Sequence, residues 1–159
     1  MSLKNRFRQR GDTLVEVLIS MLVVSMILTG AYVTTNRSSI AVRDSQEHAE
    51  ALKLVQGQLE QVRYNATQAS AEVFTQSSAA SFCMVSGAVV SATIQPGAAK
   101  CTQDGGGNPT TAQPAYKMTI KRADCSLAAG CNQFTIQATW ESVTGRGNAN
   151  EQIVYRLYK

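Results

Sequence analysis

A single carboxylate inside an apolar run is the residue of this chain that most needs a chemical explanation. Glu16 lies four residues after Asp12, and the stretch from Leu14 to Val33 otherwise contains no charged residue. A charge near the middle of a membrane-spanning helix costs about 2.5–3.5 kcal/mol, and less near its start, where Glu16 stands. Ionisable residues in membrane segments are functional by default. The position of Glu16 therefore predicts a role that offsets this cost.

The residues before the apolar run are basic and end in Gly11. Four cations stand there and account for the formal net charge of +4: Lys4, Arg6, Arg8 and Arg10. A chain beginning at Asp12 therefore balances eleven Lys/Arg against eleven Asp/Glu. Because Lys and Arg concentrate on the cytoplasmic side of a span, we predict the N terminus inside and the rest outside. The basic pI thus reflects membrane topology and does not indicate a surface that binds nucleic acid.

This N-terminal pattern resembles the type IV pilin-like proteins, which include pilins, minor pilins and pseudopilins. The run Thr13-Leu14-Val15-Glu16-Val17-Leu18 follows the family's Thr-Leu-Ile-Glu-Val-Leu type of consensus. The resemblance implies that Gly11 ends a leader peptide, that a prepilin peptidase cuts after it, and that the new terminus at Asp12 is usually methylated. Glu16 matches the family's glutamate. Asp12 departs from the pattern, because most members have phenylalanine or another apolar residue there.

The resemblance implies a structural subunit of a type IV pilus-like or type II secretion-like filament, in the position of a minor pilin or pseudopilin. Its partners would be other pilin subunits, the inner-membrane assembly platform and the membrane itself. The alternative is a membrane-anchored extracytoplasmic binding module that never polymerises. A conventional secretory signal ending near Thr29-Gly30-Ala31 is less favoured, because such signals have a shorter apolar region of about 7–15 residues.

No residue pattern predicts an enzyme or a cofactor. The chain has one histidine, no nucleophile motif and no phosphate-binding glycine loop. We interpret His48 as a surface or packing residue. Lys117, Lys121 and Arg122 form a small basic cluster in the sequence, which we interpret as a solvated face; a weak contact with DNA or a partner protein is the alternative.

Four cysteines fall in the part predicted to lie outside: Cys83, Cys101, Cys125 and Cys131. An even number in an exported domain predicts disulfides, and four cysteines allow three connectivities. We favour Cys83–Cys101 and Cys125–Cys131, because each pair closes a segment rich in turn residues. Zinc is the weaker interpretation, since no Cys-x-x-Cys pair exists and His48 is far away in sequence.

The patterning predicts an α+β protein. From Asp12 to about residue 65 there is no proline, and apolar residues at three- and four-residue spacing continue the membrane helix as an amphipathic one. The predicted stripe consists of Ala41, Ser45, His48, Leu52, Val55, Leu59 and Val62. Period-two alternation predicts three strands, over 116–121, 134–140 and 152–157, with an earlier strand somewhere in 82–94.

A helix stripe and one sheet face each need a partner, so we predict the helix packed on a small C-terminal antiparallel sheet. Residues 95–115 are predicted as a long loop, in which Asp104 and Asn108 offer too few acidic ligands for calcium. The predicted organisation is a leader at 1–11, a long helix at 12–65 with a transmembrane segment at about 14–33, and an extracytoplasmic head at 66–159.

Overall fold

The computed structural model describes residues 12–69, 71–93, 97–110, 114–125, 130–145 and 147–158. Gly11 and the rest of the predicted leader lie outside the described residues. Helix α1 extends over Asp12–Ala66. The chain divides into two compact units, one ending at Val42 and the other beginning at Arg43.

The first unit contains the apolar part of α1. This is the one helix in the described part of the chain that is long and apolar enough to cross a membrane, judged by its length and composition. Its apolar side chains are exposed on every side of the helix. A helix that is apolar all round is typical of a membrane span, so the finding fits a membrane-anchored protein.

The second unit combines the rest of α1 with a six-stranded antiparallel sheet. Its strands are β1 (Ser81–Val85), β2 (Ala88–Ser91), β3 (Thr102–Gln103), β4 (Tyr116–Asp124), β5 (Cys131–Glu141) and β6 (Asn148–Tyr158). The spatial order is β2-β1-β4-β5-β6, and β3 pairs with β4. The predicted α+β class, with a long N-terminal helix on a C-terminal antiparallel sheet, is confirmed.

The three strands predicted from period-two alternation form the centre and one side of the sheet. In β5 the residues Phe134, Ile136, Ala138 and Trp140 are buried, and the residues between them are less so. Strands β4 to β6 are longer than the alternating segments predicted. Polar residues at their ends interrupt the apolar/polar alternation, but these residues still pair with the neighbouring strand.

Residues 81–91 form a tight hairpin of β1 and β2, in the region where the sequence predicted one earlier strand. Val85 pairs with Ala88, so only Ser86 and Gly87 lie in the turn. Both have positive φ, 51° at Ser86 and 81° at Gly87. These values define a type I′ turn, whose twist matches that of antiparallel strands.

The prediction of a continuous loop over 95–115 was wrong. A short helix α2 (Gly97–Lys100) is followed by β3, which pairs with the start of β4 through Thr102–Lys117 and Gln103–Tyr116. A strand of two residues gives no measurable alternation, so the sequence pattern could not indicate it. Cys101 lies between α2 and β3 and is fully buried.

The core lies between one face of the sheet and α1 from Ala51 to Val62. The largest fully buried side chains from the sheet are Phe82, Met84, Tyr116, Met118, Ile120, Phe134 and Ile136. The helix contributes Ala51, Val55 and Val62, none of which has accessible surface. Burial of this apolar surface is the main favourable free-energy term of the unit.

The structure forms two disulfides, Cys83–Cys101 and Cys125–Cys131. Of the three possible connectivities, this is the one that we favoured from the sequence, because each pair closes a segment rich in turn residues. Cys83–Cys101 joins β1 to the segment before β3, and Cys125–Cys131 joins the end of β4 to the start of β5. They close segments of different length, with sequence separations of 18 and 6.

We expect removal of the longer disulfide to be the more damaging. In the chain-entropy model, Cys83→Ala with Cys101→Ala costs about 3 kcal/mol of unfolding free energy, and Cys125→Ala with Cys131→Ala about 2 kcal/mol. Denaturant unfolding of the two double variants measures the difference. Equal losses, or the reverse order, would show that native packing and not loop length sets the contribution.

Candidate functional site

Glu16 lies in the first turns of α1, surrounded by apolar side chains. Its neighbours Val15 and Val17 are more than half exposed, and the Glu16 side chain is also exposed. Within the described part of the chain no hydrogen bond or ion pair to its carboxylate forms. Over residues 14–33 the helix therefore presents one ionisable group on an apolar surface, without a side-chain partner among the described residues.

Six hydroxyl groups of this helix are already hydrogen-bonded. Ser20, Ser25 and Thr29 donate to the backbone carbonyls of Glu16, Met21 and Ser25, at 2.8, 2.7 and 2.8 Å. Thr34, Thr35 and Ser39 make the same bond one turn back. Serine and threonine in this arrangement need no partner outside the helix. The Glu16 carboxylate is thus the polar group of this surface that most requires a partner.

Comparison with known families identifies this N-terminal segment. A family model described as the prokaryotic N-terminal methylation motif matches residues 6–32. This motif is the type IV prepilin signature, so the N-terminal segment of the chain carries the signature of prepilin processing. Comparisons with curated proteins and with solved structures give no match for the chain.

A second set of polar residues anchors α1 to the sheet. Glu47 is buried, and its Oε2 accepts hydrogen bonds from the Trp140 indole at 3.1 Å and from the Val143 backbone N–H at 3.3 Å. His48 Nδ1 lies 2.8 Å from Glu151 Oε1, and the His48 ring meets the Trp140 ring edge-on at 4.9 Å. His48 is therefore a packing residue, as the sequence suggested.

Farther along α1, two buried amides bond to the β1–β2 hairpin. The Gln58 side chain accepts from the Met84 N–H at 2.7 Å and donates to the Met84 carbonyl at 2.9 Å. Gln58 thus hydrogen-bonds both backbone groups of Met84, a residue of β1 that lies beyond the part paired with β4. Asn65 donates to the Gly87 carbonyl at 3.2 Å and accepts from the Val73 N–H at 3.3 Å.

These contacts show which face of the helix is buried, and it agrees with the predicted stripe at Val55 and Val62 but not throughout. Leu52 is 41% exposed and Ala41 and Ser45 are exposed, whereas Glu47, Gln58 and Asn65 are buried. The sequence signal that could have identified them is spacing. Steps of 11 and 7 residues return to nearly the same helix face, which is also the face of Val55 and Val62.

The basic cluster predicted from the sequence does not form. Lys117 and Lys121 point outward and are exposed, whereas Arg122 is half-buried on the other face of β4. The Arg122 guanidinium donates to Asn132 Oδ1 at 2.7 Å and to the Gln76 carbonyl at 2.9 Å, and it pairs with Asp124. Side chains of a strand alternate between faces, so adjacent Lys and Arg cannot share one.

Asp104 and Asn108 organise a turn. Asp104 Oδ1 accepts from the backbone N–H groups of Gly106 and Asn108, each at 2.9 Å. The hydrogen bond from the Asn108 backbone is the largest influence on the pKa of Asp104, which is lowered from its usual value. Among the described residues, no group of three or more His, Cys, Asp or Glu side chains is arranged to hold a metal ion.

The tyrosine that contacts α1 should give the head a pH dependence. Tyr116 is fully buried, and its hydroxyl donates to Glu50 Oε2 at 2.9 Å. Burial, and next the bond to Glu50, raise the pKa of Tyr116 well above its usual 10.0. Folded Tyr116 therefore keeps its proton where the unfolded chain loses it, so stability falls as the pH rises above about 10.

We expect Tyr116→Phe to be less stable than the wild type at neutral pH. Its stability should also fall less steeply as the pH rises above about 10. Unfolding midpoints of both proteins between pH 8 and pH 11 measure the effect, because the other tyrosines are common to both. Parallel curves for the two proteins would contradict the assignment to Tyr116.

Proposed function

We propose that this protein is a structural subunit of a type IV pilus-like or type II secretion-like filament, in the role of a minor pilin or pseudopilin. It is inserted in the cytoplasmic membrane as a precursor, cut after Gly11 by a prepilin peptidase, and assembled through its N-terminal helix. Its C-terminal head lies outside the cytoplasm, at the cell surface or in the periplasm once the filament has formed.

One observation carries this proposal. The methylation motif covers residues 6–32, and within it Glu16 is an exposed charge on an otherwise apolar helix surface, with no partner among the described residues. A simple membrane anchor gains nothing from such a charge, which weakens insertion. A subunit that packs its helix against other helices gains an attractive contact between this charge and a positive group on a neighbouring subunit.

The partner that fits Glu16 is the free amino group of Asp12 on a neighbouring subunit. Cleavage after Gly11 creates this positive charge at the start of the apolar segment. Opposite charges in a low-dielectric core attract strongly only when they are close, and an unpaired one is penalised. The pair would therefore fix the register of neighbouring helices. Asp12 carries a carboxylate on the same residue as this amine, which would weaken the net charge of the terminus and distinguishes this chain from members with an apolar first residue.

The first experiment determines the N terminus of the protein from native membranes by intact mass and terminal peptide sequencing. We expect a chain that begins at Asp12, with or without one methyl group. A chain that still begins at Met1 or Ser2 would refute processing and favour the anchored binding module. A start near Tyr32 would instead indicate secretion by a conventional signal peptide.

The same measurement on a Gly11 variant provides the matched control. Because cleavage depends chiefly on the glycine, Gly11→Val should accumulate as the uncut precursor in the membrane. If this variant were processed at the same site and to the same extent, cleavage would not depend on the glycine of the motif. The partners of the assembled protein can then be identified by cross-linking from the processed helix.

A further inference from the structure

The face of strands β4, β5 and β6 that points away from the core is polar over most of its area. Its side chains stand in rows across the three strands, because paired residues of an antiparallel sheet share a face. The three central rows are Lys117–Thr139–Asn150, Thr119–Gln137–Gln152 and Lys121–Thr135–Val154. All of these residues are exposed or half-buried. Together with Arg156, they are called the outer face below.

Three cations stand on the outer face. Lys117 and Lys121 are exposed, and neither forms an ion pair within the described part of the chain. Arg156 is also exposed, and its Nε donates to Gln133 Oε1 at 3.3 Å. This hydrogen bond holds the base of the guanidinium over the sheet and leaves its positive charge without a carboxylate.

The carboxylates of the same strands do not balance these cations. Asp124 ends β4 and pairs with Arg122. Glu151 points towards α1, where it contacts His48. Glu141 is the last residue of β5. The outer face therefore has an excess of positive charge, which fits a partner of negative charge.

Between the cations lie uncharged hydrogen-bonding groups. Within the described part of the chain, the side chains of Thr119, Thr135, Thr139, Gln137 and Gln152 make no hydrogen bonds to other protein groups. Hydroxyl and amide groups both donate and accept. The sheet sets them roughly 5 Å apart across the strands and about 7 Å apart along them. Such an array fits a partner that presents many hydroxyl groups.

The spacing of the cations distinguishes between classes of anionic polymer. Lys117 and Lys121 lie four residues apart on β4, roughly 13 Å at a rise of about 3.3 Å per residue. Double-stranded DNA carries a negative charge about every 1.7 Å, so three cations leave most of its charges unpaired. Single-stranded nucleic acids use several aromatic side chains as stacking platforms, and Tyr158 is the one exposed aromatic residue on this side of the described strands. Sparse charges among hydroxyl and amide groups favour a sugar polymer.

We propose that the outer face of β4, β5 and β6 binds an acidic polysaccharide, a sugar polymer that carries ionised carboxylates. Lys117, Lys121 and Arg156 pair with the carboxylates, and the threonine and glutamine side chains between them exchange hydrogen bonds with sugar hydroxyls. Exposed ion pairs are individually weak, so affinity depends on several contacts made along one polymer chain.

This activity goes beyond assembly into a filament. It uses the head, which the proposed function places outside the cytoplasm, where such polymers are accessible. Binding itself requires neither cleavage after Gly11 nor the Glu16 carboxylate. Glu16→Gln should therefore bind the polymer as the wild type does, so a failure of the filament proposal and a failure of this one give different results.

Binding of the full-length protein in detergent to immobilised polygalacturonate tests the proposal. The measurement is made at low ionic strength, because salt screens exposed charges. The control polymer is highly methyl-esterified polygalacturonate, which has the same sugar chain but few free carboxylates. We expect a dissociation constant several-fold lower for the free acid than for the ester. No binding of polygalacturonate, or equal binding of the two polymers, would overturn the proposal.

Two double variants locate the binding surface. Lys117→Gln with Lys121→Gln removes two cations from the outer face and should raise the dissociation constant several-fold. Arg43→Gln with Lys53→Gln removes two exposed cations from α1, with the same change in net charge, and should leave it unchanged. Unfolding midpoints equal to that of the wild type confirm that both variants are folded. Equal weakening in the two variants would trace binding to overall charge and overturn the site.

A DNA duplex is the competing polymer in the same assay. We expect it to bind more weakly than polygalacturonate and to be displaced by it. Tighter binding of the duplex, with the same loss in Lys117→Gln with Lys121→Gln, would identify nucleic acid as the partner and overturn the polysaccharide.

Discussion

Replacing Glu16 with glutamine is expected to leave membrane insertion intact and to abolish most filament incorporation. Glutamine keeps the size of the side chain but cannot neutralise the amino group of a neighbouring subunit. Leaving one charge of a buried pair without its partner costs about 3–5 kcal/mol, which corresponds to about two to three and a half powers of ten in an equilibrium constant. The measurement is the fraction of processed protein found in sheared, purified filaments.

Ser20→Ala is the matched control for this prediction. Ser20 lies one turn farther along the same helix, and its hydroxyl bonds only to the Glu16 carbonyl. Its removal should leave incorporation unchanged. Equal membrane levels and processing of wild type and Glu16→Gln must accompany the loss. Normal incorporation of Glu16→Gln would contradict the pairing hypothesis. The presence of Glu16 would then be explained by the favourable interaction of a carboxylate with the helix N terminus.

The second large effect is expected in the head, from Gln58→Leu. The Gln58 side chain is 2% exposed and serves both the N–H and the carbonyl of Met84. Leucine fills the space but leaves two buried backbone groups unsatisfied, at about 1–3 kcal/mol each. We expect a loss of about 2–6 kcal/mol in the free energy of unfolding, measured by denaturant titration.

Gln56→Leu is the control for Gln58→Leu. It makes the same substitution two residues away in the same helix, at an exposed position. Exposed substitutions of this kind change stability by less than about 0.5 kcal/mol. A similar loss in both variants would trace the effect to helix propensity or solubility, and not to the bonds with Met84.

The hairpin of β1 and β2 depends on the helix for its hydrogen bonds. β1 pairs with β4 only through Ser81 and Phe82, so beyond this point its edge turns to α1. Gln58 bonds to Met84, and Gln61 and Asn65 bond to the turn at Gly87. Buried backbone groups require partners. These amides explain why a helix face that looks polar in the sequence is nevertheless buried.

The sequence by itself determined the features that local patterns encode. The basic residues before Gly11, the apolar run and Glu16 lie close together in the sequence, so they can be recognised without knowledge of the fold. Strands β4, β5 and β6 each show alternation over many residues, since one face is buried and the other is exposed. The absence of proline up to residue 95 predicted the long helix.

Only the tertiary structure decided which polar residues are buried. Glu47 and Gln58 are paired with Trp140 and Met84, far away in the sequence, and no periodicity of hydrophobic residues can reveal such partners. The inward position of Arg122 was hidden for the same reason, whereas β3 was hidden because a strand of two residues shows no alternation. Apolar burial leaves a local period in the sequence, whereas the burial of a polar group depends on a partner that folding alone brings close.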